Sequence, residues 1–323
     1  MEELKLKVVY AGKDITADVA PYCTGLSYTD YLSGQSDEVE LEFDDKDGLW
    51  RQEWNPQKGD SLAVEFGYAD RVLDCGSFEV DEIEYGGPPD VVRLKGLAAG
   101  IRPGFRSQVT KYHHNKTLGS IAGEIAKKYG LKVQGAPTGI TLGNVFQNGR
   151  GDLGFLRSLA DRYGYCFKVA HGCLVFYKVS DFEGKESVLT LTRDMVTGYS
   201  FRTSGAPVRK RVRQAFYDPI RKGLVSGSSV NGAAVVGDEE LVDVRCSSPS
   251  ELQAGADSSM EHRKREEDEI SVSMCGDARL IAGVMVVVQG FGAFDRGYLI
   301  KDAAHSWRRD DGYMVELKLQ GKL

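Results

Sequence analysis

The chain has 323 residues, 41% of them hydrophobic, enough for two to four domains around sizeable cores. Its net charge of −6 at pH 7 and pI near 5.5 argue against nucleic acid as a partner, since that affinity is drawn from clustered Lys and Arg. The longest apolar run, Leu280 to Val288, contains glycine and is far below the roughly 20 residues of a membrane helix, so no membrane partner is expected.

The N-terminus reads Met1-Glu2-Glu3 and then alternates through Leu4, Leu6 and Val8. It has neither the basic segment nor the apolar core of a secretory signal, and synthesis in the cytoplasm is the expectation. Residues 4 to 10 and 25 to 43 supply strands, with polar turns at Gly12-Lys13-Asp14 and Ser33-Gly34-Gln35. The carboxylates of Asp44-Asp45-Lys46-Asp47-Gly48 lack the regular spacing and terminal glutamate of a calcium loop, and a solvated turn is expected. Strands continue from Gly59 to Tyr68, Gly76 to Tyr85 and Val92 to Leu97, alternating apolar and polar residues with period two, which predicts a first barrel over residues 1–105.

From about Phe105 the period changes. Leu118, Ile121, Ala122, Ile125, Ala126 and Tyr129 form one helical stripe, with Thr117 to cap its start and Gly130 its end. A second helix is predicted over Leu153 to Tyr163, with Asp152 as N-cap, followed by a hairpin that turns at His171-Gly172 and ends near Lys178. Residues 106–180 are therefore read as a small α+β domain. Beyond it, Val208 to Phe216 alternate ahead of an Asp218-Pro219 turn, and a Gly/Ser-rich passage leads to the capping-box spacing Ser248-Pro249-Ser250-Glu251. A helix should start there and continue through the mixed charges of Glu261 to Glu269. Alternation returns at Ile270, Val272 and Met274. These readings predict a second barrel from residues 181–222 and 282–323, interrupted by an insertion over 223–281.

The two barrels look like copies. Phe78, Val80, Ile83 and Tyr85 answer to Tyr298, Ile300, Ala303 and His305 at a constant offset. The outer strands, near Gly59 and Gly283 and near Val92 and Val315, need slightly different offsets because their loops differ in length. Ahead of the two meanders, Glu38 to Asp45 and Val208 to Asp218 each form an alternating strand ending in Phe and an acidic turn. The fold class expected is mainly β with α+β insertions.

No nucleophile elbow, phosphate-binding glycine loop, dinucleotide fingerprint or H-E-x-x-H helix occurs. Gly290-Phe291-Gly292 lacks the third glycine and the helix. Catalytic, cofactor and metal sites are accordingly expected to be absent. Of the six cysteines (Cys23, Cys75, Cys166, Cys173, Cys246, Cys275) none forms a C-x-x-C pair, so reduced thiols are expected. Cys166, His171 and Cys173 read as hairpin residues, and His113, His114 and His262 as surface ones. The basic run Arg209, Lys210, Arg211 and Arg213, with Arg221 and Lys222, fits either an acidic partner or local ion pairs. Residues 117–130 are also similar to the start of a LysM repeat, the basis of an alternative reading as a cell-wall carbohydrate-binding module.

In this order of parts the chain resembles the phage late control gene D family, the central hub of contractile-tail baseplates, related to the N-terminal part of type VI secretion spike proteins. The residues that carry the resemblance are Leu41 to Trp50, Lys58-Gly59-Asp60, Gly76 to Asp81, Thr117-Leu118 and Tyr298-Leu299-Ile300 with His305. Together they extend over nearly the whole chain. The resemblance implies tail-tube-like barrels and a homotrimer whose six barrels form a ring. It also implies as partners a separate trimeric spike protein, a tube or tube-initiator protein and other baseplate proteins, in a virion assembled in the bacterial cytoplasm.

Overall fold

The computed structural model describes residues 4–68, 71–98, 105, 107–135, 137, 140–170, 172–218, 222–234, 237–244, 246 and 248–321. His171, Pro219 and Arg221, cited above, lie outside these residues. The chain begins with β1 (Leu4–Tyr10), β2 (Lys13–Asp14) and the short α1 (Thr16–Val19). It continues through β3 (Cys23–Tyr31), β4 (Glu38–Asp44), β5 (Ser61–Tyr68), β6 (Arg71–Gly86) and β7 (Val91–Ala98). Neighbours run β3-β4-β7-β6-β5-β1, all antiparallel. Alternation decides which face goes inward: in β4 Val39, Leu41 and Phe43 are buried while Glu38, Glu40 and Glu42 stay partly exposed. Val8 on β1 and Leu26 and Tyr28 on β3 come from opposite ends of the strand order yet share one core, so the sheet curls into a barrel.

The acidic turn after β4 is not wholly solvated as the sequence suggested. Asp45 is buried, accepting from the Trp50 amide (3.0 Å) and Arg51 Nε (2.9 Å). Two charge-compatible donors make that burial tolerable, and the fold-back lays Trp50 on Phe43 with centroids 4.4 Å apart.

The middle of the chain comprises β8 (Val109–Thr117), α2 (Leu118–Tyr129), β9 (Lys132–Gln134), β10 (Thr141–Arg150), α3 (Asp152–Arg162), β11 (Tyr165–Ala170), β12 (Cys173–Lys178) and α4 (Val179–Glu183). Thr117 Oγ1 accepts from the Ser120 amide at 3.1 Å, and Gly130 closes α2 at φ +65°, a conformation that suits glycine. Asp152 is not the N-cap of α3. Gly151 occupies that position, and the Asp152 carboxylate instead accepts from Lys128 Nζ, Tyr129 OH and Gln147 Nε2, each at 2.8 Å, joining α2, β10 and α3.

The remaining strands are β13 (Ser187–Thr192), β14 (Val196–Thr203), β15 (Arg209–Asp218), β16 (Gly223–Val230) and β17 (Asp238–Asp243), then α5 (Pro249–Arg265). After the helix come β18 (Asp268–Cys275), β19 (Met285–Gln289), β20 (Gly297–Arg308) and β21 (Gly312–Gly321). The strand over 208–216 does not belong to the second barrel: as β15 it is the middle of a separate three-stranded sheet, β16-β15-β17. Its cations meet carboxylates on β17, Arg211 with Glu239 at 3.0 Å and Arg209 with Glu240 at 3.4 Å. The counterpart of β4 is β18, whose Ile270, Val272 and Met274 supply the buried face. The inserted part is therefore 204–267, not 223–281, and the second barrel is built from 187–203 and 268–321. α5 stops at Arg265, short of Glu269, because the chain enters β18 three residues later.

The second barrel repeats the first, strand for strand, in the order β14-β18-β21-β20-β19-β13. Its central strand is matched to the residue. The β6–β7 register shifts between Val80 and Glu82, and the β20–β21 register shifts between Ile300 and Asp302. Gly59 donates to the Val80 carbonyl (2.8 Å) as Gly283 does to Ile300 (2.9 Å), and Val80 donates to Asp60 as Ile300 does to Val284, both at 2.9 Å. A shared bulge at a shared place is a far narrower coincidence than shared alternation. One strand departs: β13 lies parallel to β19, whereas β1 is antiparallel to β5. The barrels are also not separate sheets, because β20 pairs antiparallel with β3 and fuses both into one 13-stranded sheet.

Candidate functional site

The β3–β20 seam joins the two copies through a strand ladder of seven residue pairs. His305 sits at its centre, 0% exposed, with Nε2 at 2.9 Å from the Leu280 carbonyl and Nδ1 at 2.8 Å from the Tyr313 hydroxyl. A carbonyl only accepts, so Nε2 carries the proton and Nδ1 accepts from Tyr313. Tyr28 of β3 stacks on the imidazole at 6.2 Å. Tyr313 itself lies flat over the β18–β19 turn: a Cβ on Gly276 would fall 2.2 Å from its ring, so only glycine admits this approach. Burial pushes the His305 pKa down to about 4. The native imidazole is thus neutral, whereas in the unfolded chain it takes up a proton near its ordinary pKa of about 6.5. Unfolding therefore binds a proton in the window from about 6.5 to 4, and this contribution to stability is lost as pH falls, by about 3 kcal/mol at most. Urea denaturation at pH 7.5 and 4.5 should show a smaller pH loss in His305→Gln than in the wild type.

The middle part is clamped onto both barrels. Lys168 Nζ on β11 lies 2.7 Å from Asp30 Oδ1 and 3.0 Å from Asp37 Oδ2, and both acids are buried. Asp30 Oδ2 also accepts from the Ala282 amide (2.9 Å) of the second copy, and Asp37 Oδ1 from Tyr31 (3.0 Å). Burial pushes the Asp37 carboxyl up to about 6, Lys168 pulling the other way and Asp30 adding to the rise. The Lys168 ammonium loses solvation, but the two carboxylates outweigh that and hold its pKa above the ordinary value. Beside the triad, the Gly34 amide donates to the Phe167 carbonyl at 3.1 Å, and the Phe167 amide donates to Ser33 Oγ at 2.9 Å. On the far side, α5 meets the C-cap of α3 through Tyr163 OH and Glu251 Oε1 (2.7 Å), and α4 through Arg265 and Glu183 (3.2 Å).

The histidines and cysteines are dispersed. His113 is not at the surface as expected: it is buried and stacks on Phe155 at 5.3 Å, since its position on β8 faces α3. His114 is exposed beside Asn144 (2.6 Å), and His262 faces Glu266 at 3.2 Å. Cys166 pairs across the hairpin with Tyr177, and Cys173 with Ala170; burial pushes the Cys166 thiol up to about 12. Among the described residues no group of three or more His, Cys, Asp or Glu side chains is gathered as metal ligands would be. The stripe of α2 lies in the middle core with Phe155, Leu156 and Phe176. Among the strand edges without a ladder partner in the described residues are β14, at one end of the large sheet, and the side of β6 away from β7 beyond Val80.

Over 169 residues, 51% of its length, the chain is 34% identical to the "Probable baseplate hub protein" of Escherichia phage P2. Over that stretch the chain is similar to a phage baseplate hub protein. It spans less than half the length of that curated relative, 43%. The fold is that of solved tail proteins. It superposes with a TM-score of 0.77 on the tail protein from Neisseria meningitidis MC58, at 14% identity, covering 99% of this chain and 97% of that one. An Escherichia coli component of the type VI secretion system gives 0.60 at 15% identity, covering 99% and 77%. No protein-family model matches the chain. The mainly β character and the likeness to hub and tail proteins agree with the resemblance stated from sequence.

Proposed function

We propose that the chain is a structural baseplate hub of a contractile phage tail or phage-like injection particle, without catalysis of its own. Three copies would form a ring joining a tail tube to a trimeric spike within the virion. The observation that carries this reading is the duplication: two barrels of one strand order, joined side by side through β3 and β20. Three chains with two such barrels offer six similar positions about one axis, the device needed where a three-fold part meets a six-fold one. The homology to a phage hub protein supports it. The LysM-like segment 117–130 gains no support, because the apolar residues that suggested it, Leu118, Ile121, Ala122 and Tyr129, are core. Light scattering of the full chain, alone and with its spike protein, should give three times the 35.5 kDa of one chain. A stable monomer in the presence of spike would overturn the ring.

A further inference from the structure

The duplication fixes more than the number of barrels. Within one chain, the outer half of β20 is covered by β3, with Ala304 opposite Thr29 and His305 opposite Tyr28. The repeat supplies the equivalents of both strands. β6 stands for β20, so Glu84 and Tyr85 occupy the places of Ala304 and His305. β14 stands for β3: Tyr28 lies opposite Val39 on β4, Phe201 lies opposite Ile270 on β18, and Val39 and Ile270 face the equivalent residues Gly96 and Leu319. Thr29 therefore answers to Arg202. Within the chain these two equivalents are left at edges. His305 is fully buried where Tyr85 is 41% exposed, and Tyr28 is buried where Phe201 is only partly so.

We infer that residues 82–86 of β6 in one copy pair antiparallel with β14 of a neighbouring copy, reproducing between chains the β3–β20 seam within each. The transferred register sets Tyr85 opposite Phe201 and Glu84 opposite Arg202. Charge supports that register. Glu84 ends a row in which Arg93 bridges Glu42 (2.8 Å) and Glu84 (3.3 Å), and Arg202 ends a row begun by Glu269 (3.3 Å). Joined, the rows read Glu42, Arg93, Glu84, Arg202, Glu269, alternating in sign across the contact. One register of the two edges gives this, and a shift of one residue turns the charges to opposite faces. An unpaired edge offers a row of backbone donors and acceptors to another chain, and a head-to-tail contact of this kind, using two different patches, closes into a ring where the rotation between copies returns to its start. The inference rests on the ring reading above and adds which strands meet, and in what register.

The test is a cysteine cross-link in the full chain carrying both Glu84→Cys and Arg202→Cys. Both side chains are largely exposed, at 59% and 71%, so folding should be kept. Opposed residues on paired strands have Cβ atoms about 4.5–5.5 Å apart, close to disulfide reach. Oxidation of the double variant should convert most of the chain to disulfide-linked two- and three-chain species, while an equimolar mixture of the single variants stops at two chains. Each single variant alone controls for bonds to the exposed Cys275. In the wild type, amide exchange at residues 83–85 and 200–202 should slow on assembly. Trimers by light scattering without cross-linking above the single variants, and without slowed exchange, would overturn this pairing and leave the hub ring standing. Monomers with and without spike, and no cross-link, would overturn both.

Discussion

Replacing Ile300 or Val80 by aspartate is expected to abolish folding of its barrel and with it ring assembly. Both side chains are essentially excluded from solvent, Ile300 at 0% and Val80 at 2%, inside cores otherwise built of aliphatic and aromatic groups. A carboxylate there would sit among these apolar side chains, and burying it unpaired costs several kcal/mol even after it protonates. That is a large part of the roughly 5–15 kcal/mol that stabilises a typical domain. The adjacent Glu79 and Lys301 face the other way and are exposed. Glu79→Ser and Lys301→Ser should therefore fold with midpoints near that of the wild type. Urea titration followed by circular dichroism separates the cases, and light scattering reports the ring. Tolerance of aspartate at both inward positions would show that the two strands are not equivalent core strands.

That equivalence was legible before any coordinates because β6 and β20 are the longest alternating runs. Their bulges fall at the same step, so the offset stays constant through the irregularity. Alternation alone was less safe. Residues 208–216 alternate as well as 268–275 do, and the sequence reading gave the place of β4 to the wrong one. What separates them is the company they keep: β15 carries arginines matched by carboxylates on β17, while β18 presents Ile270, Val272 and Met274 to the barrel core. Helix ends were readable where the cap is local, as at Thr117, Ser248 and Gly130, and misread at Asp152, whose partners come from α2 and β10. Period two says which face of a strand is buried but not which edge meets which. The β3–β20 seam, the burial of His113 and the two leftover edges were therefore invisible in the chain.

The Asp30–Lys168–Asp37 triad was hidden for the same reason, its members lying 131 and 138 residues apart in sequence. It carries the second large expected effect. Lys168→Met removes one cation and leaves two neighbouring carboxylates buried without it, which for a buried pair broken from one side costs about 3–5 kcal/mol. The backbone donors at Ala282 and Tyr31 remain, so the acids keep some solvation and the loss should fall in that range rather than beyond it. The sign with pH is opposite to that of His305. Without Lys168 the Asp37 carboxyl, raised by burial and by Asp30, loses the cation that opposes the rise, so the folded variant holds a proton that the unfolded chain releases. Its stability is then greatest below the ordinary carboxylate pKa of about 4 and is lost as pH rises through the raised value. The difference from wild type should be near its maximum at pH 8 and shrink toward pH 5. Adding Asp30→Asn and Asp37→Asn to Lys168→Met should recover most of it, since neutral amides can accept the same backbone hydrogen bonds without burying charge. Urea titrations of the three proteins at both pH values decide the matter. A Lys168→Met penalty that is unchanged by pH and unrelieved by the two asparagines would show that Lys168 holds the middle part by packing its stem, not by neutralising the pair.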